Sequence, residues 1–336
     1  VMIREGSGAK NLQALLPLVT QQNERRFMFC TDDRHPHDIL KEGHINYILK
    51  KAVEWGLSPV TAIRLATLNP AEYFDLRQLG AVAPGKMADL VIFDDFESFR
   101  IHRVYKNGKL VVLDGKAVYE PPIHNLNPVR SSVNIKWLEG GEFQIPADGR
   151  KARVIEIVPD QIVTREIILP VKSINGTVES DIERDILKFF VVERHRATGN
   201  IGKGLVKGFG LKQGAIASTI AHDSHNIAVV GVLEQDIEKA VITLNKLGGG
   251  IAVIRDGKVL EVLDLPIAGL MSPKPLEFVS DRMNDITEAI KGLGCKLNDP
   301  VMILSFLALP VIPQLKLTDK GLVDVAKFRH VDLFVK

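Results

Sequence analysis

Residues 25–33 read Arg-Arg-Phe-Met-Phe-Cys-Thr-Asp-Asp, and the fold of the first part of the chain turns on them. Phe27 to Cys30 is an apolar run of strand type that stops at Thr31 and two adjacent carboxylates, Asp32 and Asp33. Ionised carboxylates are costly to bury, so the pair marks the C-terminal mouth of the strand. In parallel α/β folds that mouth is where chemistry collects. Arg34, His35, Pro36, His37 and Asp38 follow. The local pattern leaves two readings open: a functional carboxylate pair, or an Asp N-cap for the next helix.

Upstream, Val1 to Ile3 reads as a strand and Arg4 to Gly8 as a loop. Leu12, Leu15, Leu16 and Val19 have helical spacing within 9–21, interrupted by Pro17. Downstream, the spacing predicts one amphipathic helix over 37–55, stopped by Gly56. Ser58-Pro59 opens a helix over 60–68, and Asn69-Pro70 ends it and begins a short one through Phe74. The period then changes to two. Residues 88–93 read as a strand, and Asn107-Gly108 reads as a type I′ turn joining strands 103–106 and 109–113. Asp114-Gly115 turns again into 117–119. Residues 120–150, rich in Pro, Asn and Gly, read as a linker, draped over a neighbouring surface. From Ala152 an α+β segment begins, with strands expected at 153–158, 165–170, 188–194, 227–232, 251–255 and 258–263. Helices are expected at 234–247 and 275–292.

The 336 residues suffice for two domains of about 150 residues each. With 46% apolar and 25% charged residues the chain has ordinary soluble globular composition. Its 43 basic and 41 acidic side chains are too balanced for a nucleic-acid binder. Cys30 and Cys295 make neither a disulfide framework nor a Cys-rich zinc site. No apolar run reaches the roughly 18 residues of a membrane span. No signal peptide is visible, which sets a cytoplasmic location as the expectation. Gly202, Gly204, Gly208 and Gly210 look like a phosphate-cradling loop, but no Gly-Lys-Ser/Thr or Rossmann spacing accompanies them. Val1-Met2-Ile3 is already a buried-type strand, so the chain is expected to be the C-terminal part of something longer.

Three segments together resemble the amidohydrolase superfamily: the strand ending in Thr31-Asp32-Asp33, the run Ala66-Thr67-Leu68-Asn69-Pro70-Ala71, and Pro84-Gly85-Lys86-Met87-Ala88-Asp89-Leu90 leading into short strands. Arg4-Glu5-Gly6-Ser7, Glu193-Arg194-His195, Thr198-Gly199-Asn200 and Ala221-His222-Asp223-Ser224-His225-Asn226 narrow the resemblance to the adenine deaminase family. It covers essentially the whole chain. It implies an α/β plus α+β organisation. Residues 1–80 would be the last strands and helices of a TIM-type (β/α)8 barrel, and 81–120 a small β-sandwich segment. Residues 121–150 would be the linker and 151–336 a separate α+β C-terminal domain.

The resemblance also implies chemistry. Asp32 would be both metal ligand and proton shuttle in hydrolytic deamination of adenine to hypoxanthine. The cofactor would be a divalent metal, Mn²⁺ or Fe²⁺, in a binuclear site completed by residues absent from this chain, since the family's His-x-His strand is missing. His35 and His37 have that spacing but flank Pro36 after the strand, as loop or helix-cap residues do. Asp33 is left between substrate contact and helix cap. Arg4, Glu5 and Ser7 either face the same mouth and read a purine edge or form an ordinary turn. His195, His222, Asp223 and His225 form a second candidate constellation: a polar cluster that fixes the fit between domains, a pocket wall, or an extra metal site. The implied partner is a purine base, with neither nucleic acid nor membrane, and the assembly a homodimer. Two other readings stand beside this one: an amidohydrolase acting on a cyclic amide or imidazolone, and a non-catalytic fragment needing a complementing half. The His-x-Glu and Pro-Cys-x-x-Cys signature of the zinc nucleobase deaminases is absent.

Overall fold

The structure, a computed structural model, describes residues 1–122, 124–159 and 161–335, and divides into two units, Val1–His124 and Asn125–Lys336. In the first unit, β1 (Met2–Arg4) and β2 (Met28–Cys30) form a parallel pair in the register Met2↔Met28, Ile3↔Phe29, Arg4↔Cys30. Between them lie α1 (Leu12–Leu15) and a 3₁₀ turn, Leu16–Leu18, where Pro17 ends the α-helical bonding. After β2 come α2 (Pro36–Glu42), α3 (Ile45–Glu54), α4 (Pro59–Ala66) and α5 (Leu68–Tyr73). Ile3, Phe27 and Phe29 pack with Leu12, Ile48, Ala52, Ala62 and Leu65 into one core.

The helix expected over 37–55 is two helices. Gly43 adopts φ 108°, a conformation side chains rarely take, and its N–H closes on the carbonyls of Asp38 and Ile39 at 3.3 and 3.1 Å. Gly43 is therefore a C-terminal stop, and the next helix begins two residues later.

Two of the motifs that carried the resemblance, those of Asn69 and Asp89, are scaffold here. The Asn69 amide is buried and donates to the carbonyls of Glu24 and Phe27 at 2.8 and 2.7 Å, anchoring the entry to β2. The antiparallel sheet of β3 (Leu90–Phe93), β4 (Ile101–Lys106), β5 (Lys109–Leu113) and β6 (Lys116–Ala117) is a single layer in sequence order. Among the described residues, 81–120 thus contribute one sheet layer. Asp89 accepts the Asn107 N–H at 2.8 Å and the Lys106 ammonium, pinning the turn in which Asn107 and Gly108 take φ 49° and 75°.

The second unit begins at Asn125, inside the stretch read as a linker. Val133, Phe143 and Ile145 from that stretch are buried, and Phe143 meets Phe190 edge-on at 5.2 Å. The strands are β7 (Lys151–Ile157), β8 (Thr164–Pro170), β9 (Lys172–Ile174), β10 (Thr177–Glu179), β11 (Ile186–Val192), β12 (Ile201–Lys207), β13 (Ala215–Ser218), β14 (Ile227–Gly231), β15 (Gly250–Arg255) and β16 (Lys258–Asp264), with β17 (Leu315–Thr318), β18 (Gly321–Asp324), β19 (Arg329–Val331) and β20 (Phe334–Val335) after them. The helices are α6 (Glu234–Leu247), α7 (Leu276–Gly292) and α8 (Pro300–Leu307). Among the described residues, nine strands make one sheet in the order β16-β15-β13-β14-β11-β12-β7-β20, with β8 on β7.

This sheet is buried on both faces, so β11 and β14 are apolar at nearly every position. Leu187, Phe189 and Val191 face the core built with α7, α8 and the sheet β17-β18-β19. Ile186, Phe190 and Val192 face the core built with α6. The glycine-rich run after Ile201 is strand β12, and its glycines answer to packing. A Cβ on Gly202 would lie 1.8 Å from the Thr318 carbonyl oxygen. Gly202→Ala is expected to destabilise the second unit by about 1–3 kcal/mol, read from the denaturant midpoint. An unchanged midpoint would contradict the close approach of β12 to β17.

Candidate active site

The parallel register brings the turns after β1 and β2 out at the same end. Glu5 N–H donates to the Cys30 carbonyl at 3.2 Å and Ser7 N–H to the Asp33 carbonyl at 3.0 Å, so the two turns are sewn together. Arg4, Glu5, Ser7, Asp32 and Asp33 therefore share one mouth.

Their roles there differ. Asp32 takes φ 59° and places Oδ2 2.7 Å from Arg4 Nη1, with 46% of its side chain exposed. It is the accessible carboxylate of the group. Asp33 is not the cap of α2: its carboxylate accepts the N–H groups of Gly8 and Ala9 at 2.9 and 3.0 Å. The N-cap of α2 is His35, which makes no side-chain capping bond. Gly6 is small for the same reason, since a Cβ there would fall 1.7 Å from Asp33 Oδ1. Asp33→Ala leaves two loop N–H groups without this acceptor and is expected to cost about 1–3 kcal/mol of stability, measured by chemical denaturation. A loss below a few tenths would remove the loop clamp.

Ser7 is also engaged by the protein. Its hydroxyl donates to Asp38 and accepts the His35 N–H at 2.8 Å. Glu5 is 4% exposed. Asp38, which the sequence reading passed over, is the hub: its other oxygen lies 3.1 Å from His37 Nε2. Burial pushes the Asp38 carboxyl up, but the Ser7 hydroxyl, His37 and Arg34 outweigh it and hold it below the usual range. The available signal was an Asp in the first turn after Pro36. His35 and His37 stack at 5.6 Å as helix-start residues. His44 Nε2 lies 3.2 Å from Thr31 Oγ1, and burial, aided by Arg34, lowers its pKa.

Among the described residues, no group of three or more His, Cys, Asp or Glu side chains is placed to hold an ion. Asp32 offers one carboxylate to such a site, and Arg4 already pairs with it.

The second constellation lies wholly in the second unit. His195, in the β11–β12 hairpin, places Nε2 2.7 Å from the Ser224 carbonyl. Glu193 orders that hairpin by accepting the N–H groups of Arg196 and Thr198 at 2.8 and 2.9 Å. The rings of His222 and His225 meet edge-on at 5.3 Å, and His222 lies 5.0 Å from Phe306. Arg194, 1% exposed, donates to the carbonyls of His225, Ser132 and Ala268. Asn226 Oδ1 accepts the Arg194 N–H at 3.3 Å.

Residues 161–329 match the adenine deaminase C-terminal domain. The chain belongs to that family. Glu193-Arg194-His195 and Ala221–Asn226 both fall inside the matched segment, so the polar cluster is part of the family's domain. Residues 3–111 match the amidohydrolase family. An adenine deaminase from Desulfatibacillum aliphaticivorans is 52% identical over 99% of this chain and 58% of its own length. Those of Dehalococcoides mccartyi and Methanothrix thermoacetophila are 47% and 48% identical over 98% and 100% of the chain. The chain spans 58–59% of the length of these relatives. Among the described residues, no helix is long and apolar enough to cross a membrane.

Proposed function

We propose that this chain is part of an adenine deaminase, which converts adenine and water to hypoxanthine and ammonia in purine salvage. The observation that supports it most is the 52% identity over 99% of the chain to a protein named adenine deaminase. In this reading β1, α1 and β2 are one segment of a closed (β/α)8 barrel, and Asp32 stands at its catalytic end. Water adds to C6 of the purine. Asp32 takes the proton that water gives up and returns it to the ring nitrogen or the departing amine as the C6–N bond breaks. Arg4 holds the carboxylate in place through the turn that Asp33 and Asp38 fasten. A divalent ion, Mn²⁺ or Fe²⁺, is the cofactor of this reading, and its ligand set needs residues beyond these 336. The partner is a free purine base, the assembly a homodimer and the location cytoplasmic.

The test is ammonia release from adenine by the enzyme that contains this chain, with hypoxanthine identified as product. Hydrolysis of a cyclic amide or imidazolone without any turnover of adenine would overturn the assignment.

A further inference from the structure

The loop from Ala221 to Asn226 is fastened far more tightly than its role as a strand connection needs, and the chemistry of Asp32 does not use it. A buried guanidinium holds the His225 carbonyl of this loop together with those of Ser132 and Ala268, and among the described residues Arg194 is paired with no carboxylate. His225 is held at φ 51°, in the left-handed region that non-glycine residues rarely occupy. Strain and a buried cation on one loop point from geometry toward function.

The partners decide the protonation of His225. Ala221 N–H can only donate, and it lies 3.3 Å from His225 Nδ1, so Nδ1 accepts. The neutral ring then carries its proton on Nε2. Burial first, then His222 and Arg194, lower the His225 pKa and favour that neutral form. A metal bound through Nε2 needs the opposite tautomer, so the extra-metal reading loses its best ligand. What remains is a hydrogen-bond donor beside an aromatic wall: His222 against Phe306, tilted by 42°. Asp223, at the exposed tip of the loop, supplies an acceptor.

We propose that His222, Asp223, His225 and Phe306 form a binding site for a neutral planar heteroaromatic base. His225 Nε2–H donates to a ring nitrogen, Asp223 accepts from an exocyclic amine, and His222 and Phe306 offer their faces for stacking. The choice of adenine as the base rests on the deaminase reading.

Long-range ¹H–¹⁵N spectra of the 336-residue chain test the site. The expected result is an unprotonated Nδ1 on His225 and saturable shifts of the His222 and His225 rings on adding adenine. Asp223→Ala, at an exposed position, should raise the Kd for adenine about tenfold, as loss of one charge-assisted hydrogen bond does, with the unfolding midpoint unchanged. Unsubstituted purine, which lacks the amine, should bind the wild-type chain and the variant alike. A proton on Nδ1, or rings that do not respond to adenine up to its solubility, overturns the proposal. Ammonia release by the enzyme with a silent loop leaves the deaminase reading standing and removes this site. Saturable shifts without any ammonia release do the reverse.

Discussion

Asp32→Asn is expected to lower the rate of ammonia release from adenine by about 10²- to 10⁴-fold, the usual contribution of a positioned acid–base group. The substitution is chosen for its backbone. Asp32 sits at φ 59°, where Asn is one of the few side chains tolerated at little cost. Asn keeps the volume and an acceptor for Arg4 but cannot take up a proton as the carboxylate does. Its surface ion pair with Arg4 contributes about 1 kcal/mol or less, so the unfolding midpoint should hardly move. Loss of turnover with an unchanged midpoint separates chemistry from folding. A variant that keeps the wild-type rate removes Asp32 from the mechanism.

The second large effect belongs to Lys316, which no motif marks. Its side chain is 0% exposed, and Nζ donates to the carbonyls of Ile162 and Phe306, each at 3.0 Å. Burial pushes its pKa from 10.5 down to about 8. The neutral amine has two N–H donors, matching the two carbonyls. Below pH 8 the ammonium is present in both folded and unfolded chains, and its burial penalty is constant. Between pH 8 and 10.5 the unfolded chain binds the proton and the folded chain has released it, so stability rises with pH. The full rise is about 3 kcal/mol. Cys295 acts with the opposite sign. Burial raises its thiol to about 11, which removes stability as pH climbs from 9 to 11. Both proteins share that loss when wild type is compared with Lys316→Met. The stability difference between them, from denaturant titrations at pH 7, 8, 9 and 10, should therefore shift in favour of wild type as pH rises. Parallel stability–pH curves would show that Lys316 is not buried as a titrating amine.

Features with short-range causes were legible in the sequence. The helix expected over 234–247 is Glu234–Leu247, because acidic residues open it and Gly248 closes it in the left-handed conformation. The Asn107-Gly108 turn formed where both residues tolerate positive φ. Gly43 carried the same kind of signal, yet the apolar stripe running through 37–55 hid it, because periodicity continues across a break that keeps the two helices on one core.

Taken alone, the amino-acid sequence determined the elements with strong local signals, such as α6 and the Asn107-Gly108 hairpin, the placement of Asp32 beyond an apolar strand, and the family through its motifs. Tertiary structure decided what those side chains do. It made Asp33 a loop clamp and Asp38 the holder of Ser7 and His37. It turned the glycine-rich run into a strand under β17 and placed Lys316 and Arg194 in the interior. The reason is range. Propensity, capping and turn chemistry act over a few neighbouring residues. A buried polar group is defined by its hydrogen-bond partners, and those of Arg194 come from residues 132, 225 and 268, which only the folded chain brings together.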